Sequence, residues 1–171
     1  NVRRWGIGKR GEWIVITFPP QKHRFSFVGE GDNTRSTGAI ELRPYEIPMP
    51  ALAFFGYGQR YYLWAFKDSE LRGETMLFAA PLPNLDANGA ICFGSNVVPK
   101  ASAKTIGEVW RLFLASPFTN HSVNGKSREY PNDVRTQLMC LAEKRRRRYP
   151  LDDLVSLNRT AEQVISELAR Q

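Results

Sequence analysis

The sequence predicts an α+β domain: an antiparallel meander sheet packed against C-terminal helices. Three observations predict it. Up to Pro81, β-branched and aromatic runs alternate with turn signals. From Thr105 onward, apolar residues recur at helical spacing. Between them, Pro81 to Asn96 (PLPNLDANGAICFGSN) crowds two prolines, three asparagines and two glycines and continues neither pattern.

The strands follow in order. Glu12 to Phe18 (EWIVITF) and His23 to Gly29 (HRFSFVG) are strand-like and separated by the turn signal PPQK. AIELRPYEI, from Ala39 to Ile47, alternates. PMPALAFFGYG and RYYLWAFK are apolar runs on either side of Gly56 to Gln59, which predicts a hairpin. TMLFAAP, ending at Pro81, is a further run, so the sheet has about four to six strands.

The helices come after. Thr105 and Glu108 make a capping box, after which Ile106, Val109, Trp110, Phe113 and Leu114 share one face. Ser116-Pro117 ends that helix, and TNHSVNGKS reads as a loop. Asn132 is the cap candidate of a second helix, with Val134, Leu138, Leu141 and Ala142 as its stripe. Thr160 with Gln163 starts a third, whose buried face is Val164, Ile165 and Leu168. Helices after strands predict cover over one face or end of the sheet.

The length of 171 residues suits one domain, residues 1–171, with its own core. The 42% hydrophobic and 12% aromatic content is that of a folded protein. No run approaches the ~18 apolar residues that span a membrane. The chain starts at Asn1 rather than methionine, so an N-terminal piece of the full protein is expected to be missing, and no secretory signal is visible. The two cysteines, Cys92 and Cys140, stand in unlike contexts and make no disulfide framework, which points to a reducing, cytoplasmic setting. Neither histidine, His23 or His121, has ligand spacing to a cysteine, so no metal is expected, and no cofactor.

The formal charge of +7 is local. Lys144 to Arg148 (KRRRR) holds five positive charges in one run, and the remainder of the chain is nearly neutral. That run reads as a solvated helix end or as a contact for an acidic partner or DNA. A nucleic-acid module is disfavoured, because no base-reading motif accompanies the charge.

The cysteine loop carries the chemistry. Pro81, Pro83, Asn84 and Gly89 restrict the backbone leading to Cys92. Cys92 is then either a small buried side chain or a positioned nucleophile.

Pro83-Asn84 precede Cys92 by nine and eight residues, and Gly89 precedes it by three. In that spacing PNLDANGAIC resembles the active-site stretch of ubiquitin-conjugating enzymes, which carry His-Pro-Asn and then a Gly-x-Ile/Val-Cys turn. Thr105-Ile106, thirteen residues beyond Cys92, matches the family's Thr-Ile helix start, and the resemblance covers roughly residues 40 to 125. APLPNLDANGAICFGSN together with WRLFLASPFTNHS is similar to the prokaryotic conjugating-enzyme relatives called PRTRC system protein B, or prokaryotic E2 family D. Two departures stand out. Leu82 replaces the motif's histidine, whose usual role is to brace the loop. The segment before Glu41 does not resemble the family's N-terminal helix.

The resemblance implies a ubiquitin-conjugating-enzyme-like fold and a bacterial, plasmid-linked pathway. Its implied partners are a ubiquitin-like protein, a ThiF-type activating enzyme and a JAB-type peptidase. It implies that Cys92 accepts the ubiquitin-like protein as a thioester and passes it to an amine. Asn84 is the candidate amide donor to the oxyanion, or else a brace for the loop. His121, four residues after Pro117, lies where the family has an acidic gate; it is either a base for the incoming amine or an exposed loop histidine. The competing reading is a non-catalytic relative that only binds a ubiquitin-like protein; retention of Asn84 and Cys92 together disfavours it.

Overall fold

The computed structural model describes residues 2–28 and 42–170. Among them are eight strands: β1 (Val2–Gly8), β2 (Gly11–Phe18), β3 (Gln21–Val28), β4 (Leu42–Met49), β5 (Ala51–Tyr57), β6 (Arg60–Phe66), β7 (Met76–Ala79) and β8 (Ser156–Thr160). Three helices follow the seventh strand: α1 (Ile106–Ala115), α2 (Val134–Glu143) and α3 (Ala161–Arg170). Every strand pairing is antiparallel, in a six-stranded sheet of order β1-β2-β5-β6-β7-β8 and a two-stranded β3–β4 sheet. The α+β class with an antiparallel sheet and C-terminal helices is as the sequence predicts.

The differences have physical reasons. β1, VRRWGIG, is the N-terminal strand, paired with β2. Its arginines and glycines dilute the apolar signal. β8, SLNRT, lies among the helices in sequence yet pairs with β7 as an edge strand, where polar residues suffice. The sheet is not one continuous meander, because β3 and β4 leave between β2 and β5 to pair with each other. Gly29 and residues 39–41, read as ends of the second and third predicted strands, lie outside the described residues.

β5 and β6 are apolar without alternation because both faces of the sheet are covered. On one face Leu52, Phe54, Tyr61 and Leu63 pack with Val109, Trp110 and Phe113 of α1 and with Leu138 of α2. On the other, Phe55, Tyr62, Trp64 and Leu77 pack with Ala161, Val164 and Ile165 of α3. Successive side chains point to opposite faces, so a strand buried on both reads as a continuous apolar run. The third helix thus takes the face that the first two leave bare.

Two of the predicted caps move. Thr105 already has helical dihedrals (φ −99°, ψ −23°) and makes no side-chain cap. Its hydroxyl donates to the Lys100 carbonyl at 2.7 Å. Ser102 does the work instead, accepting from the Thr105 N–H on its hydroxyl at 3.2 Å and from the Ile106 N–H on its carbonyl at 3.0 Å. The cap of α2 is Asp133 rather than Asn132; its extended backbone lets the carboxylate accept from the Arg135 N–H at 2.9 Å. Thr160 and Gln163 do start α3 as predicted, and they do so as a reciprocal box, at 2.9 and 3.4 Å.

α2 ends before the basic run. Arg145 is left-handed (φ 48°), with its N–H on the Ala142 carbonyl and the Arg146 N–H on that of Leu141, a Schellman closure. Lys144 to Arg148 are all exposed just past the helix end.

The imidazole of His23 is buried edge-on to Trp110, 5.6 Å between ring centres, and its Nε2 has no hydrogen-bond partner among the described residues. Burial lowers its pKa below the ordinary 6.5. The unfolded chain therefore binds the proton first, so stability is present above about pH 6.5 and lost as pH falls toward the folded value. Urea unfolding at about pH 7.5 and about pH 5 should show that loss, at most about 1.4 kcal/mol per pH unit from this group. His23→Phe should flatten the slope.

Candidate functional site

β7 is shorter than its neighbour β6. It pairs with Trp64 and Ala65 only, leaving the Tyr61–Leu63 edge of β6 to be filled by something else. The filler is a small hairpin built from the proline- and glycine-rich segment. Leu85 bridges Ile91, and the Asp86 N–H donates to the Ala90 carbonyl at 2.9 Å. The Asp86 carboxylate closes the turn, accepting from the N–H groups of Asn88 and Ala90, both at 2.8 Å. The returning arm docks on β6: the Leu63 N–H donates to the Gly89 carbonyl at 2.8 Å, and the Ile91 N–H to the Tyr61 carbonyl at 2.9 Å. Trp64 Nε1 reaches over to the Asn88 carbonyl at 2.8 Å.

Cys92 is the next residue, and it is exposed. Both neighbours are held. Ile91 packs on the core, and the Phe93 ring lies edge-on to Tyr61 and to Phe113, centroids 5.9 and 6.3 Å apart. The Cys92 N–H donates to the Asn84 carbonyl at 2.9 Å. The thiol is open to solvent on a backbone fixed from both sides.

Asn84 joins this hairpin to the segment after α1. It is left-handed (φ 59°), a conformation asparagine tolerates. Its N–H donates to the His121 carbonyl at 2.9 Å and its Nδ2 to the Pro117 carbonyl at 3.1 Å, while its Oδ1 accepts from the Thr119 hydroxyl at 3.0 Å. The segment itself is set by β3, since the Phe118 N–H donates to the Ser26 carbonyl and the Val28 N–H to that of Phe118. Cys92, Asn84 and His121 are thereby linked by successive backbone hydrogen bonds. The side chain of His121 is exposed.

Leu82 is fully buried in the core, so its side chain gives the loop no polar brace. The brace comes from a residue the sequence did not single out. Lys126, 4% exposed, donates from Nζ to the carbonyls of Leu82 at 3.0 Å, Leu85 at 2.6 Å and Ser122. Burial lowers its pKa to about 8, with the Asp86 charge acting the other way. A lone lysine in NGKS carries no sequence signal for this role. Next to it the Ser127 hydroxyl donates to Asp153 at 2.7 Å, and the same carboxylate accepts from the Glu129 N–H and the Tyr149 hydroxyl.

Cys140 lies elsewhere, on α2, half-buried with its Sγ 3.7 Å from the Tyr130 hydroxyl. No cluster of three or more potential metal-ligating side chains occurs among the described residues, and no described helix is long and apolar enough to cross a membrane. The model of the family described as prokaryotic E2 family D matches residues 4–157, a span that includes the hairpin, Cys92, His121 and Lys126. No curated protein and no solved structure matches the chain.

Gly89 tests the seating of the hairpin. Its φ is +88°, and a Cβ there would stand 2.6 Å from Trp64 Nε1 and 2.7 Å from the Leu63 carbonyl. Gly89→Ala should therefore destabilise the fold by more than about 1 kcal/mol in chemical denaturation. Gly94→Ala (φ +61°), whose Cβ meets nothing within 4 Å among the described residues, should cost less.

Proposed function

We propose, from the premise that the chain belongs to prokaryotic E2 family D, that it is a conjugating enzyme which carries a ubiquitin-like protein as a thioester on Cys92. The family gives it an E2-like role in a prokaryotic pathway; the thioester, its site and its partners are our reading. The observation that supports it most is the exposed Cys92 thiol between two anchored neighbours, with Asn84 hydrogen-bonded to its backbone.

The chemistry follows from the groups present. The Cys92 thiolate attacks the C-terminal thioester of a ubiquitin-like protein held by a ThiF-type activating enzyme, and the activating enzyme's thiolate leaves. An amine then attacks the new thioester carbonyl, giving a tetrahedral oxyanion. Collapse forms the amide, expels the Cys92 thiolate and releases a proton from the amine nitrogen. The Asn84 Nδ2 carries two N–H groups, one of them on the Pro117 carbonyl. In this reading the other donates to the oxyanion. Its remaining contacts hold the loop, so one side chain serves both roles. His121, tied by its carbonyl to the Asn84 N–H, takes the amine's proton. The reaction takes place in the cytoplasm, and a JAB-type peptidase would reverse the modification.

The test is a loading reaction with the activating enzyme, the ubiquitin-like protein and ATP. A reductant-sensitive adduct is expected; Cys92→Ala should abolish it and Cys140→Ala should not. Asn84→Ala should still load but discharge to amines more slowly, by on the order of 100-fold, because its donor acts when the oxyanion forms. Loading that survives Cys92→Ala would overturn the assignment.

A further inference from the structure

We infer that Lys126 is the positioning residue of the Cys92 site, its ammonium gathering the carbonyls of Leu82, Leu85 and Ser122 into the one arrangement that holds Asn84 against Cys92 and His121. As a contribution to catalysis this rests on the conjugating reading above; as a statement about the loop it stands alone.

The geometry is specific. An ammonium has three N–H donors and no acceptor, and here it meets three carbonyl oxygens inside the protein. Leu82 and Leu85 flank the Pro83-Asn84 pair, and Ser122 follows His121. Lys126 thus ties the two segments whose backbones meet at the Asn84 N–H and the His121 carbonyl. Both segments contain a non-glycine residue in the left-handed region, Asn84 (φ 59°) and Ser122 (φ 53°). Such conformations persist where the surroundings over-determine them. Charge-assisted hydrogen bonds from a buried cation supply that determination more strongly than neutral ones.

No carboxylate pairs directly with Lys126 among the described residues; the charge of Asp86 acts on it from within the hairpin. Even lowered to about 8, the group is an ammonium at neutral pH and keeps all three donors. The next residue is anchored on its own account, the Ser127 hydroxyl donating to Asp153 at 2.7 Å. A cation held this firmly, with its donors spent on carbonyls, acts on the reacting thiol through Asn84 rather than by touching it.

The experiment compares wild type with Lys126→Met, which keeps an unbranched side chain one atom shorter and removes its donors, and Lys126→Arg, which keeps a cation with several. Two readouts are taken: amide hydrogen exchange by NMR, and single-turnover discharge of the preloaded thioester to an amine. In Lys126→Met the amides of Asn84 and Cys92 should exchange at least about 10-fold faster while those of Leu52 to Phe55 in β5 stay at wild-type rates. Discharge should slow by about 10-fold or more at saturating amine, and Lys126→Arg should recover part of both. Should Lys126→Met not fold, Lys126→Gln, which loses the charge and one donor, takes its place with the same expectations. Unchanged protection at Asn84 and Cys92, or a uniform loss that includes β5, would overturn the inference. A chain that never loads defeats the conjugating reading, while the exchange pattern still decides for or against Lys126.

Discussion

The site depends on how the free edge of β6 is completed. With β7 too short to cover it, the Leu63 N–H and the Tyr61 carbonyl take their partners from Gly89 and Ile91. Tyr61 and Leu63 are buried, and a polar group left unsatisfied there costs about 1–3 kcal/mol. The hairpin is therefore seated as firmly as a strand, although it is read as a loop. Glycine at position 89 is what lets the backbone lie against Trp64. Cys92 is the first residue past that seam, so its exposure coexists with a fixed position.

A second clamp comes from outside the main sheet. The β3–β4 pair holds Phe118, and Pro117, Thr119 and His121 on either side of it reach Asn84. Two independent pieces of the fold thus converge on one asparagine, which in turn accepts from the Cys92 N–H. A reaction that needs an acyl group and a donor in register benefits from such convergence, since small displacements of either are costly to rate. Lys126 stands where the two clamps meet, behind the asparagine and out of reach of solvent.

Much of this was legible in the sequence, and the rest was illegible for definable reasons. The strong apolar runs of β2, β5 and β6 announced strands because they are buried, and Thr160–Gln163 announced α3 because a reciprocal cap needs those two residue types at that spacing. β8 gave no such signal, since SLNRT is an edge strand that owes its form to pairing with β7. The capping box at Thr105 failed because the turn begins earlier, at Ser102, leaving Thr105 with helical dihedrals. At the site, Asn84 and Cys92 were picked out by the resemblance of PNLDANGAIC to the active-site stretch of ubiquitin-conjugating enzymes, whereas the turn-rich composition alone left Cys92 open between a buried and a reactive side chain. Lys126 was not: its role arises from three carbonyls that are far apart in the chain from the lysine or hidden in its own loop, and carbonyls leave no mark on a sequence.

The proposed conjugating reaction requires that residue 92, and no other, receive the acyl group. It is tested most directly with Cys92→Ser, in which the labile thioester becomes an oxygen ester. After the loading reaction the adduct should resist thiol reductants, be cleaved by mild alkali, and map to residue 92 by tandem mass spectrometry. An adduct mapped to Cys140 or to a lysine in this variant would rule out Cys92 as the acyl acceptor.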